Sequence, residues 1–199
     1  MTSDLTDAEI RNLVSETEAN FKKIESYNGD FVCVALNEWR YATRHIVDMI
    51  CHIDEKDNRT QAVCHLKRAY FDSYDILLDS LLYRFDELHN EYRDYASIVT
   101  GYIKDYSQKI KAARIARDIH CQAQDREKRE SLYGKIGEAC ASLENFIREI
   151  EDTADDWRSD IRQQVKKDRL VLFGVVAGVL AAIPTVITII RSIVSCCRG

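Results

Sequence analysis

Apolar residues recur every three or four positions through most of the chain, which is the spacing of one face of a helix. Thr6-Asp7-Ala8-Glu9 has the pattern of a capping box, so a first helix is predicted over about residues 7–26. A second helix is predicted over about residues 31–52. Residues 54–58 are predicted to form a polar loop, and Thr60 is predicted to cap a third helix.

Two longer apolar seams follow, and each has the alternating three- and four-residue steps of a heptad-like helix. The first seam consists of Leu81, Phe85, Leu88, Tyr92, Tyr95, Val99, Tyr102, Tyr106 and Ile110. The second seam consists of Leu132, Ile136, Ala139, Leu143, Phe146, Ile150, Thr153, Trp157 and Ile161. Residues 122–131 contain no large apolar side chain and are predicted to reverse the chain. The sequence leaves open whether the two long helices pack within one chain or between chains.

The segment from Leu170 to Ile190 has 21 consecutive residues without a charge, and it includes Pro184, the only proline. A bilayer core about 30 Å thick requires about 20 apolar residues in a helix, so the segment is predicted to cross a membrane. By the positive-inside rule the N-terminal part is expected in the cytosol. The flanking basic residues are Arg158, Arg162, Lys166, Lys167 and Arg169 before the segment, and Arg191 and Arg198 after it.

The whole pattern predicts an all-α fold, in which a cytosolic antiparallel four-helix bundle continues into one C-terminal transmembrane helix. No glycine or proline lies between Gly137 and Gly174, so a continuous helix is predicted over about residues 132–183. The predicted divisions are a bundle or coiled-coil domain over 1–168, a transmembrane helix over 169–195 and a tail over 196–199. The chain is therefore expected to be a tail-anchored, single-pass membrane protein, located in the inner membrane if the source is bacterial. Acylation of Cys196 and Cys197 stays open.

The C-terminal part of the chain, from Gly174 to Ser192, also carries two stripes of small or hydroxyl residues. Gly174, Gly178 and Ala182 recur every four positions, a spacing that lets two helix backbones approach closely, and they are predicted to mediate oligomerisation. The hydroxyl residues Thr185, Thr188 and Ser192 are candidates to line a pore. Bonding of these hydroxyls to the carbonyls of their own helix is the alternative interpretation of the second stripe.

Composition restricts the fold and the partners. Only 7 of the 199 residues are Gly and one is Pro, which excludes a sandwich or barrel with many tight turns. Arg191 and Arg198 are the only charged residues after Arg169, so residues 1–169 carry 26 basic and 33 acidic groups, a net charge of −7. Because phosphate neutralisation needs an excess of basic residues, a nucleic-acid partner is not expected.

Few motifs indicate enzymatic chemistry. The 7 cysteines form no CxxC pair and have no matching histidine spacing, so neither a zinc site nor a disulfide framework is predicted. The chain also lacks a Walker loop, a GxGxxG motif, an HExxH motif and a nucleophile elbow. No metal and no cofactor are therefore predicted.

Four Arg–His pairs, with partners five or six positions apart, form the remaining motif: Arg40/His45, Arg59/His65, Arg84/His89 and Arg114/His120. In these pairs, and in its size, helicity and acidity, the chain resembles small helical bundles of the HEPN superfamily. Many of those proteins are metal-independent ribonucleases of toxin and phage-defence systems. The resemblance implies RNA cleavage, with histidine as general acid or base and arginine as phosphate clamp.

Helix geometry ranks the four pairs. Positions five apart on a helix point about 140° apart, so a pair in the middle of a helix cannot converge on one phosphate. Arg59, in the predicted loop, could turn back over His65 at the start of the next helix. Arg40 and His45 rank second, because a homodimer could supply one residue of the pair from each chain.

These observations favour a non-enzymatic, tail-anchored protein that self-associates and acts at the bilayer, as a pore-forming or depolarising effector. In layout the chain is similar to membrane-bound helical effectors of bacterial defence systems. The alternatives are a membrane-tethered HEPN-like ribonuclease and a coiled-coil tether or fusion-type adaptor. The expected partners are membrane lipids and further copies of the chain, and a protein bound through the seams is a further candidate.

Overall fold

The computed structural model describes the backbone of residues 5–28, 33–123 and 125–196. It also describes their side chains, except at positions 28, 33, 126–130, 133, 185, 186 and 188–196. These residues form α-helices and short turns, with no strand among them, so the predicted all-α class is confirmed. The helices are α1 (Asp7–Asn28), α2 (Cys33–Ile50), α3 (Glu55–Tyr92), α4 (Ala96–Val99), α5 (Tyr106–Ala123), α6 (Arg126–Asp152) and α7 (Ala154–Cys196).

The start of α1 is a reciprocal capping box, as predicted. The Thr6 backbone N–H donates to Glu9 Oε2 at 2.7 Å, and the Glu9 backbone N–H donates to Thr6 Oγ1 at 3.3 Å. Two N–H groups that have no partner inside the helix are satisfied in this way.

The third helix begins earlier than predicted. Residues 55–58 lie in the first turn of α3, whereas the sequence predicted a polar loop there. Asp54 precedes the helix in the left-handed conformation (φ 36°), and its side chain makes no capping hydrogen bond. Thr60 lies inside α3, where its hydroxyl donates to the Lys56 carbonyl. The acidic Glu55 and Asp57 in the first turn explain the early start, because they interact favourably with the helix dipole.

The structure divides into two compact units, and the larger comprises Met1–Asp94 and Ile103–Asp152. Within it α1, α2, α5 and α6 each contact α3, so five helices form this unit and the predicted four-helix bundle is not confirmed. The core is built by large apolar side chains of α3 and α6. Its most deeply buried members are Leu77, Leu78, Leu81, Leu88, Ile136, Leu143, Ile147 and Ile150.

The first apolar seam does not lie on one helix. After Tyr92 the chain forms a 3-10 turn over Arg93–Tyr95 and then the single helical turn α4, and α5 begins only at Tyr106. Asp105, just before α5, has a left-handed backbone (φ 55°), which ends helical continuity. The chain then reverses between Ala123 and Arg126, inside the segment predicted to do so.

The smaller unit comprises Tyr95–Tyr102 and Thr153–Gly199. In it α4 contacts α7, and the Tyr102 hydroxyl donates to Asp160 at 2.6 Å. A turn at Thr153 separates α6 from α7, so the predicted continuous helix over 132–183 is wrong. Acidic residues in the first turn of α7, Asp155 and Asp156, favour a new helix start at this point.

The largest difference between the sequence analysis and the structure concerns the predicted membrane span. Within residues 5–28, 33–123 and 125–196, no helix has a long enough apolar stretch to cross a bilayer. The predicted tail-anchored, single-pass membrane protein and its role as a pore-forming or depolarising effector are therefore wrong.

Candidate functional site

Two histidines from different predicted Arg–His pairs lie side by side between α2 and α3. The rings of His45 on α2 and His65 on α3 are 5.4 Å apart between centroids, with 11° between their planes. The ring of Tyr41 lies 5.4 Å from that of His65. We call His45 and His65 the histidine pair.

A buried asparagine determines which nitrogen of His45 carries the proton. The Asn58 amide nitrogen donates to the Ile53 carbonyl at 2.6 Å, so its oxygen faces the ring. His45 Nδ1 lies 2.7 Å from that oxygen and must therefore be the donor. The Nε2 atom of a neutral His45 is left with its lone pair available.

A carboxylate orients His65 in the same way. His65 Nδ1 donates to Glu38 Oε2 at 2.7 Å, and both side chains are mostly buried. Arg68 Nη1 lies 3.9 Å from the same carboxylate oxygen and adds a positive charge at the edge of the site. Both histidines thus have a protonated Nδ1 on a protein acceptor, and no described contact engages either Nε2.

The arginines of the two predicted pairs lie elsewhere. Arg59 belongs to α3, not to a loop, and its guanidinium donates to Asp7 at 3.0 Å and to the Leu5 carbonyl at 3.4 Å. The Arg40 guanidinium lies 5.6 Å from the ring centre of Tyr41. The structure therefore brings together the two histidines, which the sequence did not connect, and places Arg59 at the start of α1. The catalytic role of these four residues stays a prediction.

The second candidate site is a continuous apolar surface on α7. Nine apolar side chains between positions 170 and 183 are exposed: Leu170, Val171, Leu172, Phe173, Val175, Val176, Val179, Leu180 and Ile183. Because these positions are almost consecutive, they cover every side of the helix. We call residues 170–183 the apolar segment.

The small residues predicted to mediate oligomerisation lie within the apolar segment and are exposed. A Cβ atom placed on Gly174 or on Gly178 would meet nothing within 4 Å. Packing among the described residues therefore gives no reason for glycine at either position. The side chains of Thr185, Thr188 and Ser192 lie outside the described residues, as do the side chain of Cys196 and the whole of Cys197.

The described part of the chain holds no group of three or more His, Cys, Asp and Glu side chains arranged to bind a metal ion. Its cysteines are free at positions 51, 64, 121 and 140. In comparisons with known proteins, no family model, no curated protein and no solved structure matches this chain.

Proposed function

We propose that this protein is a helical assembly module that binds a second copy of itself through the apolar segment of α7. The observation that carries the proposal is the exposure of nine apolar side chains within fourteen consecutive positions. The largest apolar patch on a typical monomer is about 300–600 Å² and is often functional. Each Val, Leu or Phe side chain that becomes fully buried would contribute about 1.5–3 kcal/mol.

Large apolar side chains of both seams are already buried inside the chain, so they are not available to a partner. Phe85 of the first seam contacts Phe146 of the second, with ring centroids 5.5 Å apart. Leu88, Leu143 and Ile150 of the same seams are at most 2% exposed. A partner that needed these side chains would have to open the core.

A second copy fits the chemistry of the segment better than an unrelated partner. No charged residue occurs from Leu170 to Ile190, so two such helices can pack together without burying an unpaired charge. Two copies related by a twofold axis present the same surface to each other, which is the commonest arrangement of oligomers.

The glycines supply a second reason. Glycine in a helix costs roughly 1 kcal/mol relative to alanine, and no contact among the described residues requires it at 174 or 178. Together with Ala182 they form one narrow face along which a second helix backbone can approach closely. Self-association would give these residues the packing role that they lack in the single chain.

The test is sedimentation velocity of the full chain over a wide range of concentrations. We expect reversible association for the natural sequence. The variant Gly174→Ile with Gly178→Ile should weaken it about tenfold or more, because the added side chains separate the two backbones. Gly134→Ile is the matched control: Gly134 is an exposed helical glycine of α6, also with nothing within 4 Å of an added Cβ.

A second pair of variants tests the apolar surface itself. Phe173→Ser with Val176→Ser removes two exposed apolar side chains from the segment, and Val47→Ser with Ile50→Ser removes two from α2. Only the first variant should weaken association. A natural chain that stays monomeric at every concentration would overturn the proposal, as would equal weakening by both serine variants.

A further inference from the structure

We propose that the histidine pair binds a divalent transition-metal ion of the nickel, copper and zinc group, held by Nε2 of His45 and Nε2 of His65. Imidazole nitrogen is a preferred ligand for these ions. The site would join α2 to α3 on either side of the turn at residues 51–54. It does not depend on self-association of the chain.

The hydrogen bonds at Nδ1 are the first support. A histidine that binds a metal through one nitrogen almost always donates the other N–H to a carboxylate, carbonyl or water, which fixes the ring and raises its basicity. His65 donates to the Glu38 carboxylate, and His45 donates to the Asn58 amide oxygen. Both rings therefore have the tautomer that offers Nε2 to a ligand.

The distance between the rings is the second support. Zinc lies about 2.0–2.1 Å from a histidine nitrogen, which puts each ring centre roughly 3 Å from the ion. Two imidazoles on one tetrahedral ion then have centres roughly 5 Å apart. The observed separation between the ring centres of His45 and His65 is 5.4 Å, close to this value.

Because the protein supplies only two ligands, coordination positions stay open to water and the bound ion should exchange readily. Structural zinc sites use four protein ligands, whereas here water would complete the coordination. Sequence spacing could not indicate this site, because the two ligands are twenty positions apart on different helices. Binding to the folded state alone would stabilise that state by an amount that grows logarithmically with the metal concentration above the dissociation constant.

The test uses the full chain after treatment with EDTA, with Zn²⁺ as the probe for thermal unfolding and Cu²⁺ for electron paramagnetic resonance. We expect a rise of a few degrees in the midpoint with Zn²⁺, and a Cu²⁺ signal showing two coupled nitrogens. His45→Gln and His65→Gln should each abolish the thermal shift and reduce the number of coupled nitrogens.

His52→Gln is the matched control, because His52 Nδ1 also contacts a carboxylate, that of Glu55, but no ring contact with a second imidazole is found among the described residues. The His52→Gln variant should show the same rise in unfolding midpoint with Zn²⁺, and the same two nitrogens coupled to Cu²⁺, as the natural chain. In the natural chain, ¹⁵N spectra should show Zn²⁺-dependent shifts at Nε2 of His45 and His65, which tests the site without any substitution. The proposal is overturned if the natural chain binds neither ion, or if the Zn²⁺-dependent thermal shift and both coupled nitrogens survive in His45→Gln or His65→Gln.

Discussion

The rings of Phe85 and Phe146 pack together with their centroids 5.5 Å apart and join the two apolar seams inside one chain. Phe85 lies on α3 and Phe146 on α6, and both are almost completely buried. Tyr106 at the start of α5 packs edge-on against Phe146 from another side. The parts of the two seams that lie on α3 and α6 thus pack together within one chain.

Removing one of these rings should strongly reduce stability. Phe146→Ala leaves a cavity between α3, α5 and α6, and we expect the free energy of unfolding to fall by about 3–5 kcal/mol. Urea denaturation followed by circular dichroism measures the change. Tyr83→Ala is the matched control, because Tyr83 is an aromatic residue of α3 that is 62% exposed, and it should cost far less. Similar costs for the two variants would contradict this description of the core.

Loss of the capping box at Thr6 should lower the free energy of unfolding, but by less than loss of a core ring. Thr6→Ala removes the hydroxyl that accepts from the Glu9 N–H, so the free energy of unfolding should fall by about 0.5–2 kcal/mol. Thr60→Ala removes a threonine from within α3, where alanine is the better helix former, so it should be neutral or slightly stabilising. The same urea experiment compares the two variants, and a larger loss for Thr60→Ala would count against the assigned start of α1.

The helices could be predicted where a local signal exists, and the interruptions could not. The cap at Thr6 is encoded in four adjacent residues and was predicted correctly. The break after Tyr92 was missed because Tyr95, Val99, Tyr102 and Tyr106 continue the apolar spacing although the backbone leaves the helix. Spacing reports which side chains are buried, and a short irregular segment can bury the same side chains as a helix.

The histidine pair was beyond sequence analysis for a different reason. His45 and His65 were each paired in sequence with a nearby arginine, whereas their contact arises from the packing of α2 on α3. Arg59 was assigned to a loop because residues 54–58 are so polar, but acidic residues are also typical of a helix start. Placing Arg59 on the helix turns its side chain towards Asp7.

Cysteine reactivity should distinguish buried from exposed thiols. Cys140 is 3% exposed, and its burial raises the pKa of the thiol to about 12, so very little reactive thiolate forms at neutral pH. Cys51 and Cys121 are exposed. Brief alkylation of the native chain, mapped by mass spectrometry, should label Cys51 and Cys121 and leave Cys140 unmodified. In denaturant all three should react, and equal labelling of Cys140 in the native chain would contradict its burial.

The ion pair between His120 on α5 and Asp75 on α3 should make the stability of the protein depend on pH. His120 Nδ1 lies 3.3 Å from Asp75 Oδ1, and its side chain is 22% exposed. The Asp75 carboxylate raises the pKa of His120, partial burial opposes that rise, and the Asp79 carboxylate adds to it. The folded state therefore holds the His120 proton more tightly than the unfolded state does.

The stabilisation from this proton should be fully present below the ordinary histidine pKa of about 6.5 and should disappear as pH rises through the higher pKa of the folded state. We expect His120→Gln to lower the free energy of unfolding more at pH 5.5 than at pH 8.5, measured by urea denaturation at both values. His52→Gln is the control, because the His52 side chain is 85% exposed and water weakens its contact with Glu55. A difference between His120→Gln and the natural chain that stays constant or grows with pH would show that Asp75 does not stabilise the protonated ring.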